Sequence, residues 1–153
     1  MTTIKIGEKE YVLEFTFEAA EHRNLVQSMF NIMSGAYIVK TEENGVTAMI
    51  DGVSAMVADI PHICKVAFYA GLLEHNPVSE EEAKTLMKEY MKENKLSYSK
   101  LFEDLKGYME NDGFFDLSGL NDMMQTMQES AEEQTKKQPK TPQDHKKKST
   151  STK

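Results

Sequence analysis

From Ala131 to Lys153 the chain offers no large aliphatic or aromatic residue, and that sets where folding must stop. A segment with nothing to bury cannot offset the entropy lost on ordering, so residues 131–153 are expected to form a disordered basic tail. The core has to come from residues 1–130, which is enough chain for one domain. Charge divides at the same place. The tail holds seven Lys against Glu132, Glu133 and Asp144, so of the −7 carried by the whole chain, residues 1–130 account for −11. So acidic a body repels nucleic acid, and a short Lys run without aromatic neighbours is ordinarily just solvated. No nucleic-acid partner is expected.

Cys64 is the only cysteine, so an internal disulfide is ruled out and a reducing compartment fits. The opening Met1-Thr2-Thr3-Ile4-Lys5 has no signal-peptide pattern. No apolar run is expected to approach the roughly 20 residues that cross a bilayer, so no membrane partner is expected and the cytosol is the default address.

Thr3-Ile4-Lys5-Ile6 and Tyr11-Val12-Leu13-Glu14-Phe15 alternate in polarity around Gly7-Glu8-Lys9. This predicts a β-hairpin with Ile4, Ile6, Leu13 and Phe15 toward a buried face. A lone hairpin is marginal in water, so its edge, with Ile4, Ile6, Tyr11 and Leu13, is the candidate self-association site of a homo-oligomer. The spacing then predicts a helix from Phe17 to about Ser34. Ala36 to Lys40 is an apolar patch readable as strand or loop, and Thr41 to Gly45 a polar connector. Val46 to Val57 has helical spacing, and Asp59 with Pro61 predicts a break and a new start. The next helix, with Ile63, Val66, Ala67, Ala70 and Leu73 on one face, is expected to be the most buried. Ser79 to Glu82 forms a capping box that opens another. A helix around Leu101 to Met109 and a last piece from Leu117 to Met127 complete the pattern. The expected fold is mostly α (α+β): an N-terminal hairpin and a compact bundle of about five to six helices over 1–130.

No spacing carries catalysis. His62 and Cys64 alternate along a helix and splay apart, and no further Cys or well-placed His completes a metal site. Cys64 reads as a small buried side chain, and His22, His75 and His145 as dispersed surface residues. Glu80-Glu81-Glu82 suits a helix dipole without any ligand. Asn111-Asp112-Gly113 and Asn121-Asp122 lack the spacing of a calcium loop. No catalytic residue, cofactor or metal is expected. The methionines are the distinctive chemistry. Met29, Met33, Met49, Met56, Met87, Met91 and Met109 lie on stripes that a core would claim. Met123, Met124 and Met127, with Leu117 and Leu120, lie at the end of the domain. Flexible Met side chains adapt to varied helices, so these five are the candidate partner-binding residues.

In order, the chain resembles the tail assembly chaperones of long-tailed (siphovirus-type) bacteriophages or prophages of Gram-positive bacteria. The resemblance is carried by Ile4-Lys5-Ile6-Gly7-Glu8-Lys9-Glu10-Tyr11-Val12-Leu13-Glu14-Phe15 leading into the Phe17 helix. It is also carried by Val66-Ala67-Phe68-Tyr69-Ala70-Gly71-Leu72-Leu73-Glu74-His75-Asn76-Pro77 with Ser79-Glu80-Glu81-Glu82, and by the Lys-rich end. It implies a non-enzymatic protein in the host cytoplasm, absent from the finished virion. Such a protein coats the tape measure protein and recruits tail tube protein around it. The family often also makes a form extended by ribosomal frameshifting, and Lys146-Lys147-Lys148 suits a slippery codon run. The competing reading is a small acidic helical adaptor or inhibitor of a host protein.

Overall fold

The computed structural model of the chain describes residues 1–36 and 45–136. The Tyr37–Asn44 part of the apolar patch and its connector, and residues 137–153 of the tail, lie outside the described residues.

The alternating runs form the expected hairpin. Strands β1 (Thr2–Ile6) and β2 (Lys9–Leu13) pair antiparallel, with Ile4 opposite Tyr11 and Ile6 opposite Lys9. Gly7 takes φ +61 at the first central position of the two-residue turn, where a side chain would be strained. Seven helices follow among the described residues: α1 (Phe17–Glu21), α2 (Arg23–Met33), α3 (Gly45–Leu72), α4 (Glu80–Glu93), α5 (Tyr98–Asn111), α6 (Phe114–Leu117) and α7 (Leu120–Lys136). The fold is thus mostly helical with an N-terminal hairpin, as expected. Its boundaries differ from the sequence reading in four places, each for a local reason.

The Phe17–Ser34 segment is two helices. His22 turns to an extended ψ of 95 and its Nδ1 accepts the Leu25 N–H at 3.3 Å, capping α2 while ending α1. The Asp59–Pro61 break does not occur, because α3 runs through Pro61. Val53, Met56, Val57, Ile60, Ile63, Cys64, Ala67 and Ala70 keep one three-in-seven apolar stripe across that point. A break would rotate the two halves out of register. The last amphipathic piece is divided at Ser118-Gly119, with Gly119 at φ +75 between α6 and α7. Finally, α7 continues to Lys136, into the segment assigned to the tail. Ala131, Glu132, Glu133 and Gln134 are good helix formers, and a helix already nucleated extends through them.

The downstream half of α3 is the axis of the body. Ile63, Cys64, Ala67, Phe68, Ala70 and Leu72 are buried there, and α3 as a whole touches α1, α2, α4, α5 and β2. The segment Met49–Leu72 is long and apolar enough to cross a bilayer, with a mean hydropathy of 1.2. A third of that window is buried inside the molecule, with the buried side chains from Ile60 onward, and Met49, Ile50, Val53 and Val57 are exposed. Ser79 Oγ accepts the Glu82 N–H at 3.2 Å, as the capping box predicts, and Ser97 Oγ does the same for Lys100 N–H in α5.

The end of α4 stores a removable strain. Lys95 sits at φ 52, the left-handed position after a helix, while the Leu96 N–H donates to Met91 O at 2.9 Å. A side chain there costs about 1 kcal/mol or more that glycine avoids. Lys95→Gly is therefore expected to raise stability by about 0.5–1 kcal/mol, read from the urea midpoint at unchanged slope.

Candidate protein-binding surfaces

The polar residues that could suggest chemistry are occupied structurally. Cys64 is buried, its Sγ–H donates to Tyr98 O at 3.4 Å, and burial pushes the thiol pKa up to about 12. A thiol held protonated is a poor nucleophile. His22 caps α2 and stands edge-on to Tyr69, with ring centroids 5.6 Å apart. His62 lies near it across a recess of only about 50 Å³. His145 lies outside the described residues. Among the described residues, no three of His, Cys, Asp and Glu gather as a metal site.

His75 pairs with Glu14. The His75 hydrogen bond holds the Glu14 carboxyl below its ordinary 4.5, with burial opposing and Thr16 Oγ1 assisting. The folded pKa is depressed, so this contribution is present above about pH 4.5 and is lost as pH falls through the lower folded value. Because both side chains keep contact with water, it is worth about 1 kcal/mol or less. The stability of His75→Ala should fall less steeply than that of the native chain below pH 4.5, measured by urea unfolding across the acid range.

The self-association candidates divide by what they present. Ile4, Ile6 and Leu13 are in the core and Tyr11 packs against it, so their side chains are used inside the molecule. The outer edge of β2 is also engaged. The Val12 N–H donates to Asn76 Oδ1 and the Glu14 N–H to Gly71 O, both at 2.8 Å. What remains for pairing is the backbone edge of β1 at the exposed residues Thr3 and Lys5. This edge was legible in the alternation; its occupied counterpart on β2 was not, because the acceptors come from residues distant in sequence.

The five partner-binding candidates divide similarly. Leu120 is buried, and its side chain belongs to the core. Met124 is half-buried. Leu117, Met123 and Met127 are 44%, 54% and 43% exposed, high values for large apolar side chains. Met123 stands at one wall of a groove of about 440 Å³ between α2 and the start of α7. Ala20, Val26, Phe30 and Leu120 line it too, together with the polar Arg23 and Gln27. Such a groove can accept apolar side chains from a helix laid along it.

A second exposed apolar surface went unread in the sequence. Met49, Ile50, Val53 and Val57 on the upstream half of α3 are 49%, 59%, 44% and 53% exposed. Met49 lies on a stripe that a core would claim, and the stripe does continue into the core from Ile60 onward. Periodicity shows that a helix has an apolar face, but it does not show whether anything covers that face. No protein-family model, curated protein or solved structure matches this chain.

Proposed function

We propose that this chain is a tail assembly chaperone of the long-tailed bacteriophage type. In this reading it shields the apolar stripes of the tape measure protein in the host cytoplasm and helps bring tail tube subunits to it. The observation that carries the reading is the pair of exposed apolar helix surfaces on one strongly acidic body: Met123 and Met127 beside the α2–α7 groove, and Met49 to Val57 on α3. Monomeric proteins rarely leave such surfaces open unless a partner uses them. A long helical client with apolar stripes supplies matching chemistry, and flexible Met side chains tolerate its changing sequence. The acidic surround disfavours collapse of one chaperone onto another. The resemblance described above supplies the identity of the client, and the chemistry supports a binding protein rather than an enzyme.

The test is co-expression with a tape measure protein, sought among the genes that neighbour the one for this chain. A soluble complex is expected, weakened by joint replacement of Met123, Met124 and Met127 with Ser while helical circular dichroism is unchanged. A tape measure protein that stays insoluble whether or not the chain is present would sink the reading. Capture of a host protein instead would favour the adaptor. Mass spectrometry of the expressed locus, with the codons for Gln134 to Lys153 sequenced, checks for a frameshift-extended form.

A further inference from the structure

We propose that the Met49–Val57 half of α3 docks an amphipathic helix whose apolar stripe is flanked by Lys or Arg. The proposal deepens the client-binding reading and takes from it only that the partner is a helical protein.

The molecule itself shows what covers this stripe. From Ile60 to Ala70 the same three-in-seven pattern is buried, with Cys64 against the start of α5 and Phe68 beside Tyr90 of α4, ring centroids 6.1 Å apart. Upstream the pattern continues without interruption, but Met49, Ile50, Val53 and Val57 face solvent. A helix added there would extend a helix-on-helix interface that already exists. Its apolar side chains would enter the spaces between side chains one turn apart.

Charge selects among occupants. Between Gly45 and Ile60 the only charged residues are Asp51 and Asp59, and no Lys, Arg or His occurs. The body as a whole carries −11, so a second copy meets like charge and a basic helix is attracted. The chain's own end from residue 137 has basic residues but no large apolar one, so it cannot fill the stripe. The fitting occupant therefore combines an apolar seam with cationic flanks.

The experiment measures fluorescence anisotropy of two labelled helical probes of three heptads with the same Leu/Ile seam, one flanked by Lys and one by Glu. The protein is the full chain. The Lys-flanked probe is expected to bind, with the Glu-flanked probe at least about tenfold weaker. Ile50→Gln with Val53→Gln should weaken the Lys-flanked probe about tenfold or more and leave the thermal midpoint unchanged. Equal binding of both probes, or undiminished binding to the Gln variant, overturns the proposal. A thermal midpoint lowered in the Gln variant would show that the face is already covered within the chain and would also overturn it. So would a dimer that reverts to monomer in that variant, since the occupant would then be a second copy. If tape measure protein co-purifies equally with native and Gln chains, this surface fails while the chaperone reading stands. If the Lys-flanked probe binds and tape measure protein does not, the reverse holds.

Discussion

Phe15→Ala is expected to remove about 3–5 kcal/mol of unfolding free energy, the largest single-residue effect foreseen for this chain. Phe15 is fully buried where β2 hands over to α1. Its ring lies directly on the backbone of α3: a Cβ built at Gly71 would stand 2.8 Å from Phe15 Cζ. Only glycine lets the helix and the ring approach so closely, and Gly71 O also accepts the Glu14 N–H at 2.8 Å. The cavity left by alanine cannot close, because β2 is held to α3 by that bond and to Asn76 by the neighbouring one. Chemical unfolding followed by circular dichroism measures the loss. A change below about 1 kcal/mol would mean the hairpin is not anchored through this ring.

Asp112→Ala is expected to cost about 1–3 kcal/mol, with Asp112→Asn much closer to the native chain. Asp112 caps the end of α5, and its carboxylate is nearly enclosed, with the side chain 4% exposed. Oδ2 accepts the Phe15 N–H at 3.0 Å, and Oδ1 meets the Met1 ammonium. Alanine leaves the Phe15 N–H without an acceptor in a part-buried position, which costs more than the bond itself contributes. Asparagine keeps an oxygen there. The Phe15→Ala and Asp112→Ala effects should not add, since both act on one residue's anchoring, and a double-mutant cycle reads the coupling. Equal losses for alanine and asparagine would assign the effect to the ammonium contact instead.

The sequence already determined the elements whose physics is local. Alternation in Thr2–Leu13 dictated the hairpin, and Ser79 with Glu82 dictated the start of α4. Regular apolar spacing placed Leu101, Leu105 and Met109 of α5 in the core. Other outcomes depended on what stands opposite. Whether Pro61 broke a helix depended on both halves sharing one stripe that the body covers from Ile60 onward. Asp112 looked like part of a turn, and only folding brought Phe15 to it from 97 residues away. Met49 and Met109 carry the same side chain on equally regular stripes, yet one is half exposed and the other fully buried. Periodicity belongs to one helix, whereas burial needs two surfaces in contact. That is why the chain's apolar faces could be read in advance, and why only the tertiary structure decided which of them were left open for a partner.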